Sequence, residues 1–257
     1  MLRREDGMTL PEVLAAITIA VIVSLAAFSL VETVMKRTGE TGARVETTQR
    51  ARGALDTMTR ELRSQVCVIR SDPSLMTSAR SIYSATATQV VFFADTTDQS
   101  FKTSAGTITP PTLRTLTYTP GANATGTIVE TIRPGINDSS TPGVDAVAFS
   151  SASGEQTRQI LTNIEQLPDP LDGSKQLPLF RYYTYDLTKS PPTPTKELVP
   201  GSGGLSVTDV SSVAKITVSY RVRAVGKVTQ RVSTPLVGEI FVRTVDPNTA
   251  SPKPTCL

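Results

Sequence analysis

The sequence predicts an α+β protein in which one long N-terminal helix, a membrane half continued by an amphipathic half, packs on a mainly antiparallel β-sheet domain. Three observations carry that reading. Gly7 to Val31, GMTLPEVLAAITIAVIVSLAAFSLV, is apolar apart from Glu12 near its start. A second stretch, Ala43 to Val66, repeats its apolar residues at helical spacing. Beyond about position 70, Thr, Ser and Val are abundant and turn residues frequent, a composition that favours strands.

The apolar run is the first element. Met8 to Val31 is 24 residues, which as a helix extends roughly 36 Å at about 1.5 Å per residue and crosses a hydrocarbon core of about 30 Å. An ordinary secretory signal places its cleavage site beyond its apolar core. Here the basic pair Arg3 and Arg4 is followed by Glu5, Asp6 and Gly7, and the tolerable cut lies before the run, between Gly7 and Met8. Such a cut leaves the helix on the protein.

Glu12 supports two readings. Thr9-Leu10-Pro11-Glu12 fits a capping box, in which each end satisfies an orphan backbone donor, and a carboxylate near a helix N-terminus is favoured by the macrodipole. Alternatively, a charge at the membrane edge is costly unless paired, so Glu12 seeks a cation.

GMTLPEVL resembles the prepilin signal of type IV pilins and type II secretion pseudopilins. The resemblance implies a leader, residues 1–7, removed by prepilin peptidase after Gly7, and methylation of the new amino terminus at Met8. It makes Glu12 the fifth mature residue, an assembly residue whose partner is the amine of Met8 on a neighbouring subunit. Met8 stands where phenylalanine is usual in that family, and Pro11 precedes the glutamate. Proline is tolerated in a first helical turn, where its missing N–H would lack a helical partner anyway. The resemblance also implies a single pass through the cytoplasmic membrane, with the N-terminus cytoplasmic, the C-terminal domain extracytoplasmic, and association with a filament after assembly.

On that reading Cys67 and Cys256 both lie outside the cytoplasm, where disulfides persist. A bridge between them would tie the end of the chain to the end of the helix and contribute about 4 to 5 kcal/mol in the chain-entropy model. The other reading is two unpaired thiols; their spacing is not that of a metal site.

The membrane and assembly helix is expected over residues 8–38. Gly39 and Gly42 then interrupt, each costing a helix about 1 kcal/mol relative to alanine, which predicts a short break. The resemblance alone suggests a place where the helix bends or melts in a filament. Over 43–67 the pattern resumes: Ala51, Leu55, Met58, Leu62 and Val66 form one apolar face. Arg52, Asp56 and Arg60 sit at i, i+4 spacing on another face.

Residues 68–257 are expected to form one β-rich domain. Candidate strands are Thr88 to Ala94, Leu113 to Thr119, Thr127 to Ile132, Val144 to Phe149, Leu179 to Tyr185 and Val213 to Ala224, with a last segment from Val228 to Val245 broken by Pro235 and Gly238. Turn-rich segments at Thr109 to Pro111, Pro120 to Asn123 and Pro134 to Asp138 separate the earlier ones. Ile216, Val218, Tyr220 and Val222 alternate onto one face. Thr188 to Gly204 reads as an exposed loop, Pro-rich and then Gly-rich. LFRYYTYD, ITVSYRV, EIFVRT and the helical ALDTMTRELRS look, more loosely, like the larger minor subunits, the J-like pseudopilins and W-like minor pilins.

Several chemistries are disfavoured. The chain of 257 residues has no His, and so lacks the common general base and the commonest metal ligand. It contains no GxSxG or GxxxxGK[ST] pattern. No enzymatic activity and no cofactor are expected. Asp95 and Asp98 read as a polar turn after a strand rather than a calcium site, which wants six to eight oxygens. Arg44, Arg50, Arg52, Arg60 and Arg63, with Arg221, Arg223, Lys227 and Arg231, invite a DNA-binding reading. A solvated helix face balanced by Glu46, Asp56 and Glu61 explains the helical ones more simply, and the net charge of +3 points to no particular partner. Tyr182, Tyr183 and Tyr185 read as strand packing, with Phe180 and Tyr182 on one face and Tyr183 and Tyr185 on the other.

The expectation is a minor pilin or pseudopilin, a structural subunit of a type IV pilus or type II secretion pseudopilus placed at the initiating end or tip by its bulk. Its partners are prepilin peptidase, other pilin or pseudopilin subunits and the cytoplasmic membrane. The alternative is a single-span membrane-anchored adhesin or binding module that does not polymerise.

Overall fold

The computed structural model describes residues 9–66, 81–94, 111–121, 125–137, 147–149, 154–223 and 235–242. The chain divides into two compact units, Met1–Glu46 and Thr47–Leu257. A single helix, α1 (Leu10–Arg63), contributes to both.

The break expected at Gly39 and Gly42 is absent: α1 runs through both. Interrupting a helix strands amides and carbonyls at two new ends, which outweighs the roughly 1 kcal/mol each glycine costs. Around the glycines, Thr38 and Thr41 donate their hydroxyls to the carbonyls of Val34 and Arg37. The helix ends at Arg63, where Ser64 donates its amide to Arg60 and its hydroxyl to Glu61. Val66 then donates to the Phe93 carbonyl and joins the sheet.

The second unit is built on strands β1 (Ile82–Ala85), β2 (Gln89–Ala94), β3 (Thr112–Pro120), β4 (Gly126–Arg133), β5 (Gly135–Asn137), β6 (Val147–Phe149), β7 (Gln156–Glu165), β8 (Phe180–Asp186), β9 (Thr193–Leu198), β10 (Lys215–Val222) and β11 (Pro235–Phe241). A short helix, α2 (Val207–Ser211), is capped by Ser206, whose hydroxyl accepts from the Asp209 amide. Nine strands form one antiparallel sheet in the order β1-β2-β3-β4-β7-β10-β8-β9, with β11 also on β10. Residues 215–218 of β10 pair with both β8 and β11, and Arg221 pairs with both β7 and β11, so β7 and β8 share one edge of β10 and β11 has the other. β5 and β6 pair separately.

Alternation decides the layers. Phe92 and Ala94 on β2, Leu116 and Tyr118 on β3, and Ile216, Val218, Tyr220 and Val222 on β10 join one buried cluster with Ala51, Ala54, Met58 and Leu62 of α1. Phe180 and Tyr182 join it from β8, as the alternation of that strand predicts. Val91, Phe93 and Leu113 point the other way into a smaller cluster with Val66 and Tyr83. The fold is therefore α+β, one long N-terminal helix against a mainly antiparallel sheet.

Several segments depart from the sequence reading, among them β1, which lies outside every expected strand. β7, with its polar QTRQILTNIE, is a strand that periodicity does not reveal, paired along β4 and, at Ile164 and Glu165, with β10. Part of the expected Thr188 to Gly204 loop is β9, an edge strand, where Pro194 needs no partner for its missing donor. The turn expected at Pro134 to Asp138 includes β5. Pro235 and Gly238 do not break β11: the proline opens the strand, and the glycine fits against α1.

Candidate functional site

Every residue of α1 from Leu10 to Gly39 is exposed, around the whole circumference of the helix. Leu14, Ile17, Ile22, Leu25, Phe28 and Leu30 are each more than half exposed, which water does not favour. This helix is long and apolar enough to cross a membrane. The first turn closes on the Thr9 carbonyl, which accepts from the amides of Glu12 and Val13 at 3.0 and 3.2 Å. The Glu12 side chain is exposed. Just beyond the apolar run, Glu32 and Lys36 pair at 2.7 Å across one turn. Gly7 and Met8, the expected cleavage and methylation residues, lie outside the described residues, as do Cys67 and Cys256.

The other end of α1 is seated in the second unit. Of the predicted face, Ala51, Leu55, Met58 and Leu62 pack against the sheet, with Thr47 and Ala54 added and Leu55 partly buried; Val66, beyond the helix end at Arg63 rather than on the helix expected to reach 67, packs with Val91, Phe93 and Leu113 instead. Tyr220 donates its hydroxyl to the Ala51 carbonyl at 2.8 Å. A Cβ on Gly238 would lie 2.8 Å from a Leu55 methyl, so the missing side chain is what admits Leu55 to β11.

Toward the end of the helix the apolar seat gives way to a closed ring of charge. Arg114 precedes Leu116 by two residues on β3, and Glu130 follows Ile128 by two on β4, so both face the helix. One Nη of Arg114 bonds the Glu61 carboxylate and also Glu130 Oε1, the latter at 2.8 Å. Arg158, directly across from Glu130 in the β4–β7 register, closes the ring by bonding the second oxygen of Glu130 and, at 3.0 Å, Oε1 of Glu61.

The Glu130 side chain is 0% exposed, Arg114 7%, Glu61 14% and Arg158 49%. Two acids and two bases cancel, and both Glu130 oxygens are occupied, which is the condition for burying a carboxylate at tolerable cost. Burial pulls the Arg158 guanidinium down, but Glu130 and Glu61 outweigh it and hold Arg158 above its ordinary value.

Burial also pushes two core tyrosines well above the usual phenol range. Tyr182 is raised by burial, partly offset by its bond to the Thr86 carbonyl at 2.9 Å. Tyr220 is raised by burial and by the nearby charge of Asp56.

The remaining sequence candidates do not gather into a second site. Arg221 and Arg223 both pair with Glu165, while Arg52, Arg60 and Arg63 are exposed on the helix. Lys227 and Arg231 lie outside the described residues. Tyr183 has the Arg181 guanidinium 5.4 Å and the Lys215 ammonium 4.6 Å from its ring centre, and these cations pair with Glu197 and Glu239. Among the described residues no three Asp, Glu, Cys or His side chains gather as metal ligands; Asp95 and Asp98 are not among them. Sequence reasoning missed the ring. Its one visible signal was an arginine and a glutamate at inward positions of otherwise apolar, alternating strands.

No protein-family model matches the chain, and no curated protein matches it either.

Proposed function

We propose that the chain is a minor pilin or pseudopilin, a structural subunit cut between Gly7 and Met8, methylated at Met8, and assembled through α1 into a type IV pilus or type II secretion pseudopilus. The observation that carries this reading is the continuity of α1. The helix whose exposed apolar surface is fit for a membrane is also the helix whose last turns form part of the domain core. A tethered binding module needs only a span and a linker, and flexible linkers leave domain position undetermined. A subunit that must transmit position from a packed helix to a domain needs a continuous helix between them, and α1 is continuous from Leu10 to Arg63.

The signal-like GMTLPEVL adds independent support, with Glu12 as the carboxylate that meets the Met8 amine of a neighbour. The partners are prepilin peptidase, other subunits of the same class and the cytoplasmic membrane, with the domain on the extracytoplasmic side. The bulk of a domain built on a nine-stranded sheet favours an initiating or tip position over a closely packed shaft. The role is structural, with neither catalysis nor a cofactor.

The deciding experiment is the mass of the N-terminal peptide from membrane-extracted protein. A peptide beginning at N-methylated Met8 is the expected result. A peptide beginning at Met1 overturns the reading in favour of a non-polymerising membrane-anchored adhesin or binding module.

A further inference from the structure

We propose that the Glu61–Arg114–Glu130–Arg158 ring is an axial latch: it fixes the position of α1 along the sheet and resists force directed along the helix. The apolar contacts set that position only in part. Thr47, Ala51, Ala54, Met58 and Leu62 recur every three or four residues. A slip of one turn, about 5.4 Å, that brings Met58 to the place of Leu62 also brings Arg50 to the buried place of Ala54, but the opposite slip keeps the face apolar, bringing Leu55 to the place of Ala51, Met58 to that of Ala54 and Leu62 to that of Met58. Hydrophobic burial is non-directional and discriminates against that opposite slip only through packing volume.

The Tyr220 bond to the Ala51 carbonyl is equally permissive, because each turn of a helix offers another carbonyl. The notch at Gly238 admits Leu55 and would admit the smaller Ala51 or Thr59 as well.

The ring does discriminate. Glu61 is the helix's contribution to it, and its two oxygens go to different strands: Oε2 to Arg114 on β3, Oε1 to Arg158 on β7. A one-turn slip replaces Glu61 by Thr57 in one direction and by Gln65 in the other. Either leaves two guanidiniums against Glu130 alone in a largely buried setting, where an uncompensated charge is strongly unfavourable. Because α1 is unbroken from Leu10 to Arg63, axial force on its exposed apolar part reaches the sheet through these last turns. The latch does not depend on whether that apolar part sits in a filament or only in a membrane.

The test is single-molecule pulling on the full chain in detergent, in two geometries. In the axial geometry force is applied between the N-terminus and the exposed turn at Gly173. In the transverse geometry it is applied between that turn and the turn at Leu187, which leaves α1 unloaded. Glu61→Gln is expected to speed axial rupture at fixed force roughly ten- to a hundredfold, as loss of a charge-assisted contact implies, and to leave the transverse rate unchanged. Met58→Ala, a core truncation that spares the ring, is the comparison and speeds both.

The latch is overturned if Glu61→Gln speeds both geometries alike, or neither. Should that variant fail to fold, Arg158→Gln opens the ring at its half-exposed member and is read by the same two criteria, with a smaller axial effect expected.

Discussion

The hydroxyl of Tyr220, in the middle of β10, reaches 2.8 Å to the carbonyl of Ala51 on α1, joining residues 169 positions apart in the chain. Both residues are in the core, and the phenol ring lies against the face of the helix that the sheet covers. Removing the hydroxyl takes away one buried hydrogen bond. The Ala51 carbonyl retains its place in the helical ladder, so little is orphaned. Tyr220→Phe is expected to lower stability by about 1 kcal/mol, seen as a lower denaturant midpoint with an unchanged slope.

Tyr182 and Tyr220 also set the alkaline limit of the domain. Burial raises both above the ordinary value of 10, so the folded protein keeps both phenolic protons where the unfolded chain has lost them. Stability from this source is complete below about pH 10 and declines as pH rises beyond it, by about 1.4 kcal/mol per pH unit for each tyrosine. Equilibrium unfolding followed between pH 9 and 12 should show this fall, and Tyr220→Phe should make it shallower. A flat profile would mean that the two phenols are not held protonated in the fold.

The ring makes opposite predictions for one substitution and two. Glu130→Ala leaves Arg114 buried and reduces its partners, and is expected to cost about 3 to 5 kcal/mol. The double variant Arg114→Met/Glu130→Leu removes both buried charges together and leaves Glu61 paired with Arg158, so it should recover most of that loss. Thermal unfolding of the two variants side by side checks this. A double variant as unstable as the single one would show that the pair itself, not the avoidance of a lone charge, stabilises the sheet.

Glu12 is remote in sequence from every core residue of the second unit, which begins at Thr47. Glu12→Ala should therefore leave the unfolding temperature and membrane retention unchanged; under the proposed filament role it should also abolish incorporation into filaments, scored by the protein in sheared filament fractions relative to membranes. Unchanged incorporation would reduce Glu12 to a helix-capping residue.

Long, strongly periodic elements were legible in the sequence. The apolar run and the face Ala51, Leu55, Met58 and Leu62 define α1, and clean alternation defines β10. Runs rich in β-branched and aromatic residues locate β2, β3, β4 and β8. What stayed hidden depended on neighbours distant in the chain. β7 is a strand because β4 pairs along it and β10 pairs with its end, and its own residues do not require that. Pro194 and Gly238 argue against strands locally, yet an edge position and the bulk of Leu55 make each the suitable residue where it stands. Glu61 read as a counter-charge on a solvated face; it is mostly buried because Arg114 and Arg158, 53 and 97 residues on, approach it from two strands.

The placement of β10 has a kinetic consequence. This strand joins β7, β8 and β11 and supplies four residues to the core under α1, yet among the described residues it is the tenth of eleven strands in chain order. Contacts of such long sequence separation close large loops before they yield any energy, and so slow folding. A chain made from its N-terminus has α1 complete while β10 is still to be synthesised. Until β10 arrives, the apolar stripe of Ala51, Met58 and Leu62 has only the earlier strands β2, β3 and β8 to cover it, and that interval leaves the domain open to misassociation or to a protecting chaperone.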